Sequence, residues 1–244
     1  MATDKRARHD GHGHGSGYGH HHRDVSGGGL RPAVFGAMDG LVTNVSLIAG
    51  VGGGGGSAHT IVLTGLAGLA AGAFSMAAGE FVSVSSQNEL VQSEVNKERH
   101  ELEHNAAFEQ AELAGMLRAR GVSAATARQA AAEISADPDK ALAVHALEEL
   151  GVNPGELPSP VVAAVASLAS FAVGALIPLL PYLAGLHLLW AALALAAVAA
   201  VLGGGLVARL TVRPFWRGAL RQLALGACAA GITYLIGTAV GHVS

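Results

Sequence analysis

The sequence predicts an all-α integral membrane protein of five transmembrane helices, with a cytoplasmic three-helix domain inserted between spans 2 and 3. Three observations predict it. Of 244 residues, 51% are hydrophobic and only 14% charged, with a mean hydropathy of +0.42, whereas a soluble domain carries about 25% charged residues. The apolar residues gather into five stretches, each reaching the roughly 20 residues that a spanning helix needs. All 15 Lys and Arg residues fall in three segments, 5–31, 97–140 and 209–221. Five spans put those segments on one side of the membrane, and the positive-inside rule makes that side the cytoplasm. An even number of spans would break the pattern, so the N-terminus is expected inside and the C-terminus outside.

Residues 1–30 are Gly- and His-rich (HDGHGHGSGYGHHH), without periodicity or enough apolar residues to fold. They read as a disordered tail, either a metal-collecting arm or a dispensable leader. The first span runs from about 32 to 51 and ends in the glycine run 52–56; the second covers about 60–85, so 31–86 form one membrane unit. From 87 to 157 the chain turns charged, Ala-rich and helical in pattern. Apolar character returns at about 160–183, 186–207 and 220–240, within a second membrane unit of 158–244. Pro178 and Pro181 should kink the end of the third span. Gly36-x-x-x-Gly40 and Gly68-x-x-x-Gly72 let helix backbones approach closely, either for bundle packing or for a dimer seam.

Several classes are excluded. The net charge of −3 and the lack of a basic stripe argue against a nucleic-acid partner. The lone Cys228 lies in an apolar run, which rules out disulfides and thiolate metal sites. No nucleophile–base pair or phosphate loop marks an enzyme. The hydrophilic N-terminus leads into a full span, so no cleavable signal peptide is expected. The Ala- and Gly-rich chain lacks an organelle signal, which points to a bacterial inner membrane.

Asp39 lies about eight residues into the first span, roughly 12 Å at helical rise. Glu80 lies five residues before the cytoplasmic end of the second. An ionisable group at depth needs a partner or a cavity and is functional by default, yet no Lys or Arg is read inside any span to pair with either. The two carboxylates therefore point to a cation or proton site, against the plainer alternative of snorkelling to the interface. Met76, one turn before Glu80 on the same face, adds a soft thioether that favours Fe²⁺ over Mg²⁺ or Ca²⁺; packing is its plainer role. Asn44 and Ser75 offer neutral oxygens.

The pattern from Glu89 to Leu117 reads as one helix, with Val91, Val95, Leu102, Ala106, Leu113 and Leu117 as its apolar stripe. Glu98, Glu101, Glu109 and Glu112 form two E-x-x-E pairs that fall within an arc of about 80° on a straight helix, and Glu94 joins them. Like charges at i, i+3 repel, and Lys97 and Arg99 are read as pointing elsewhere. A divalent cation would relieve the repulsion; the bland alternative is a solvated acidic face. Helices over 124–135, started by Ser123, and 138–150, capped by Gly151, complete the domain. The latter carries His145 and Glu149 at i, i+4, a metal-ligand spacing.

The runs AMDGLVTNVSLIAGV (37–51) and GLAGLAAGAFSMAAGEFVSVSSQ (65–87) resemble hallmarks of the vacuolar iron transporter family, as does the order of two spans, a three-helix domain and three spans. The resemblance covers nearly everything from Arg31 to Val240. It implies a proton-coupled transporter of Fe²⁺, often also of Mn²⁺, that moves metal out of the cytosol as a homodimer and holds no permanent cofactor. Zn²⁺ and Co²⁺ are further candidate ions. The family's ion path, between the first two spans at the dimer interface, is matched by Asp39 and Met76; Asn44 and Glu80 are added here from the residues. The family's cytoplasmic carboxylates match Glu98, Glu101, Glu109, Glu112 and Glu149. Where eukaryotic members carry a Met-Met pair, this chain has His145 and Ala146, and where they carry an intramembrane Glu it has Gly68. The expected partners are therefore divalent metal ions, protons, the lipid bilayer and a second copy. The competing reading is a membrane-anchored metal-binding or sensing protein that does not transport.

Overall fold

A computed structural model describes residues 29–242. The expectations for the His-rich tail (1–28) and for the terminal residues 243–244 lie outside the described residues.

Short polar caps set the helix starts. Ser57 Oγ accepts the Thr60 N–H at 3.1 Å to open α2 (Ala58–His104), and Ser123 Oγ accepts from Thr126 at 3.3 Å to open α4 (Ala124–Ser135). Asp137 caps α5 (Pro138–His145), and Ser159 caps α6 (Pro160–Leu176); each of these two helices begins with a proline, whose missing N–H is harmless there. Before them comes α1 (Leu30–Gly53), and α3 (Ala106–Ala119) follows α2. α5 runs on through a π turn at Ala146–Leu150, closed by Gly151 in the left-handed conformation (φ 67°). At Pro178 α6 gives way to a 3-10 turn (Ile177–Leu179) and the short α7 (Leu180–Leu183); α8 (Leu189–Leu210) and α9 (Phe215–Gly241) complete the order. Among the described residues five stretches are long and apolar enough to span a membrane: α1, α2, Pro160–Leu183, α8 and α9.

The second span and the polar helix after it differ from the sequence expectation. No helix break falls near residue 87, where composition changes. α2 is one continuous helix of 47 residues, about 70 Å long at 1.5 Å per residue, more than twice the hydrocarbon thickness. The break comes at Asn105 instead, so the predicted helix from Glu89 to Leu117 is split between α2 and α3. The apolar stripe divides with it: Val91, Val95 and Leu102 pack on Leu142 and Ala146, while Leu113 and Leu117 pack with Ala131, Ile134 and Val144. Ala106 is exposed and belongs to neither group. Asn88 Nδ2 donates to the Pro158 carbonyl at 2.9 Å, tying the returning chain to α2.

In the membrane bundle α1 is central, packing on α2, α6, α8 and α9. Its approach to α6 is nearly backbone to backbone. Side chains added at Gly36, Gly40 or Gly174 would run into Ser167 O, Phe171 O and Ala37 O respectively. The two GxxxG motifs thus serve packing within one protomer: Gly72 receives the Phe171 ring and Gly68 the Leu47 side chain. Close contact is how helices gain dispersion energy where lipid removes the hydrophobic drive. The large apolar side chains left exposed on α8 and α9, such as Leu202, Leu206, Leu235 and Ile236, face where lipid would lie.

Gly174→Val should lower the unfolding temperature of the detergent-solubilised chain, corresponding to about 1–3 kcal/mol of overpacking. Gly115→Ala in α3, where an added methyl meets nothing within 4 Å, should be neutral or stabilise by up to about 1 kcal/mol. Equal effects at the two positions would mean that α1 and α6 do not need their close contact.

Candidate metal centre

The break at Asn105 redirects the chain between α2 and α3 and brings together residues that one straight helix would keep apart. Glu98 on α2, Glu109 on α3 and the pair His145 and Glu149 around the π turn each offer a ligand atom, and these atoms lie within 4.8 Å of one another. His145 is fully buried and Glu109 nearly so, Glu98 is half-buried, and Glu149 faces solvent at the rim.

His145 Nδ1 is the hub. It lies 3.0 Å from Glu149 Oε1, 3.0 Å from Glu98 Oε1 and 3.8 Å from Glu109 Oε2. One nitrogen supplies one hydrogen to three carboxylates, and it is aligned on Glu149. Glu98 Oε1 is at contact distance but receives no hydrogen bond, and His145 Nε2 is buried without a partner. Burial raises the Glu98 carboxyl above the usual range, and the charge of Glu149 adds to this, with smaller contributions from Glu109 and Glu112 against the opposing effect of His145. Glu109 is raised likewise, first by burial and then by Glu112. The group thus concentrates negative charge that a single ring cannot balance. Ligands across an ion at about 2.1 Å stand about 4.2 Å apart, so the group needs only a small contraction to close on one.

Of the six residues proposed from sequence as metal ligands, four meet here. Glu101 and Glu112 do not join them. Glu101 is exposed and accepts from Asn105 Nδ2 at 2.5 Å, and Glu112 is exposed and acts on Glu98 and Glu109 only through its charge. Glu94 is occupied elsewhere, since Lys97 pairs with it at 2.6 Å, contrary to the expectation that this lysine points away. Sequence reasoning missed Arg120, which pairs with the partly buried Glu148 at 2.7 Å and ties the end of α3 to the π turn carrying Glu149. Its signal was faint: one base before a glycine turn.

The intramembrane residues are placed separately. Asp39 is half-buried on α1 and hydrogen-bonded to Thr43, one turn on. Asn44 is fully buried; its Nδ2 donates to the Ala175 carbonyl at 2.5 Å while Oδ1 is buried without a partner. A Cβ at Gly68 would stand 3.6 Å from that oxygen. Met76 packs against Ala73, Phe171 and Ala175. Glu80 lines a cavity of about 440 Å³ with Arg31, Met38, Arg221 and Gln222. The reading that no Lys or Arg lies inside a span to pair with either carboxylate is corrected for Glu80: Arg221, within the fifth span even as read at 220–240, and Arg31, in the first turn of α1, line the same cavity.

Five spanning helices with a carboxylate–imidazole group on an extension of the second define a polytopic membrane protein with a candidate cation centre. The VIT family model matches residues 30–238, and the chain belongs to that family. It is 39% identical over 133 residues to "Vacuolar iron transporter" of Acanthamoeba castellanii, covering 54% of this chain and 47% of that protein. It is 45% identical over 84 residues to "Vacuolar iron transporter homolog 1" of Oryza sativa subsp. japonica, 34% of this chain and 36% of that one. With "Vacuolar iron transporter homolog 3" of Arabidopsis thaliana the identity is 52% over 69 residues, 28% and 34% of the two chains. The matched stretches span less than half the length of each of these relatives.

Mn²⁺, which favours oxygen donors and so avoids the His-rich tail, should bind the whole chain with an affinity that Glu98→Gln or Glu109→Gln lowers about tenfold or more. Glu112→Gln should have a smaller effect. Binding should weaken as pH falls, starting above 4.5, the ordinary Glu value, because both raised carboxyls, Glu98 and Glu109, take up protons early. The metal-free fold shows the opposite sign. Its raised acids bind protons more tightly than the unfolded chain does, so its stability declines as pH rises from 4.5 through the raised values. Added Mn²⁺ should cancel that decline. Calorimetry and thermal unfolding across pH check both.

Proposed function

We propose that the chain is a proton-coupled transporter that moves Fe²⁺, and also Mn²⁺, out of the cytoplasm, working as a homodimer. The observation that carries this reading is the Glu98–Glu109–His145–Glu149 group on a helix continuous with a membrane span. Three carboxylates and one imidazole mix hard and borderline donors, a set that suits Fe²⁺ and Mn²⁺ and also admits Zn²⁺ or Co²⁺. Membership of the VIT family and the iron-transporter names of the relatives support iron as cargo.

Two features support a path through the membrane. Arg31 and Arg221 share a cavity, so the basic residues at the start of α1 and in the early turns of α9 lie near one end of the bundle, which supports a common cytoplasmic face. Asp39 lies on α1 away from its contacts with α6: Gly36 and Gly40 meet α6, Val42 and Gly50 meet α9, and Leu47 meets α2. At 100° per residue Asp39 then falls about 20° from Gly50 and about 60° from Val42, on the side turned to α9; α2 and α9 are not among the extensively packed pairs. A second copy laid on that side would bury both Asp39 carboxylates and make an ion worth binding there. In this reading the cytoplasmic centre captures the ion, Glu80 with its two arginines flanks the entrance, and Asp39 and Met76 pass the ion on, while Asn44 holds α1 to α6 beside them. Protons that replace the metal on the carboxylates supply the coupling.

Reconstituted in proteoliposomes, the wild type should carry Fe²⁺, faster with acid on the side of the C-terminus. Asp39→Asn should abolish flux while leaving Mn²⁺ binding at the cytoplasmic centre intact. Glu98→Gln should raise the KM for Fe²⁺ with little change in the maximal rate. A wild type that binds metal but moves none would support the sensing reading.

A further inference from the structure

We propose that His100 and His104, at the tip of α2, form a second metal site, an exposed imidazole pair that takes borderline divalent ions of the Zn²⁺ type. The two residues are one turn apart, and their rings lie side by side with centroids 3.9 Å apart and planes inclined by 37°. His104 Nδ1 is 2.8 Å from the His100 carbonyl oxygen. A carbonyl only accepts, so Nδ1 carries the hydrogen and Nε2 is left with its lone pair free. Metal-binding histidines are typically oriented in this way, the second ring nitrogen donating to a backbone carbonyl. Both side chains are exposed, so an ion can reach them and complete its coordination with water.

The surroundings suit a cation. Lys97, at i−3 from His100, is a base on this side of the helix, and its ammonium is drawn to Glu94 at 2.6 Å. Arg99 donates to Asn96. Glu103, at i+3 from His100, stands on the same side of the helix. The pair is distinct from the carboxylate centre, because His100 and His104 lie about 200° and 240° around α2 from Glu98. Imidazole donors without a cluster of carboxylates prefer Zn²⁺, Ni²⁺ or Cu²⁺ to Mn²⁺ or Mg²⁺, so the two centres sort ions by different chemistry. This inference does not depend on the transport reading.

The test is histidine modification by diethyl pyrocarbonate on the full chain in detergent, read peptide by peptide in a mass spectrometer, which separates these residues from the N-terminal histidines. Zn²⁺ at ten times its dissociation constant should slow modification of both His100 and His104 about tenfold, whereas Mg²⁺ should not. His100→Ala should remove the Zn²⁺ protection of His104, and His104→Ala that of His100. Glu98→Gln should leave both protections unchanged. Absence of protection by Zn²⁺, or equal protection of His104 in the His100→Ala chain, would overturn the pair as a chelating site.

Discussion

The structure rests on how closely α1 can approach its neighbours. Lipid solvates apolar side chains as well as another helix does, so a bundle of this composition holds through contact area and backbone proximity. α1 and α6 meet where Gly36, Gly40 and Gly174 present bare backbone. α8 and α9 repeat the device, with Gly204 and Gly218 against each other's carbonyls. Residues fixed this tightly also fix what stands beside them. Gly40 turned onto α6 forces Asp39, one residue back, about 100° away from that contact. The packing glycines therefore set the direction of a carboxylate that they never touch.

The second span transmits that placement to the polar helices. Because α2 does not break on leaving the membrane, a straight rod links the residues packed on Phe171 to those around His145. The rod ends at Asn105, and that end makes the centre. Eleven residues separate Glu98 from Glu109, about 16 Å along a straight helix, too far to share an ion. The break at Asn105, with Leu113 packed on Ala131 and Val95 on Leu142, turns two distant rungs into neighbours. His145 then fills the space between them, and the Arg120–Glu148 pair holds the strand of ligands that follows it.

The sequence displayed the spans clearly, since the bilayer demands long apolar runs and the basic residues divide between them. It also offered Glu98, Glu109, His145 and Glu149 as candidate ligands, and the fold brings those four together. The geometry behind that naming was different. An arc of carboxylates on one straight helix predicts a row of four Glu, whereas the fold selects one from each E-x-x-E pair and leaves Glu101 and Glu112 outside. The break was hidden because residues on both sides of Asn105 favour helix and neither Gly nor Pro marks the turn; Asn is a weak signal that tertiary packing made decisive. The link between Glu80 and Arg221 was hidden for another reason: Arg221 already lay within the span read at 220–240, but hydropathy along the chain cannot show that the second and fifth spans line one cavity.

The same charges that would hold an ion also decide what replaces it. Three carboxylates around one ring nitrogen cannot all stay ionised at low penalty, because a single hydrogen serves them and two of the three are screened poorly from one another. Two remedies exist: a divalent cation, or protons. Burial and mutual repulsion raise Glu98 and Glu109, which is the signature of groups that take up protons readily when no cation is present. A metal bound there would compete with protons for the same oxygens, and loading it would release protons that unloading takes back. If the proposed metal binding holds, exchange of metal for protons would begin in this group of side chains, and a membrane path coupled to protons would need only to connect to it.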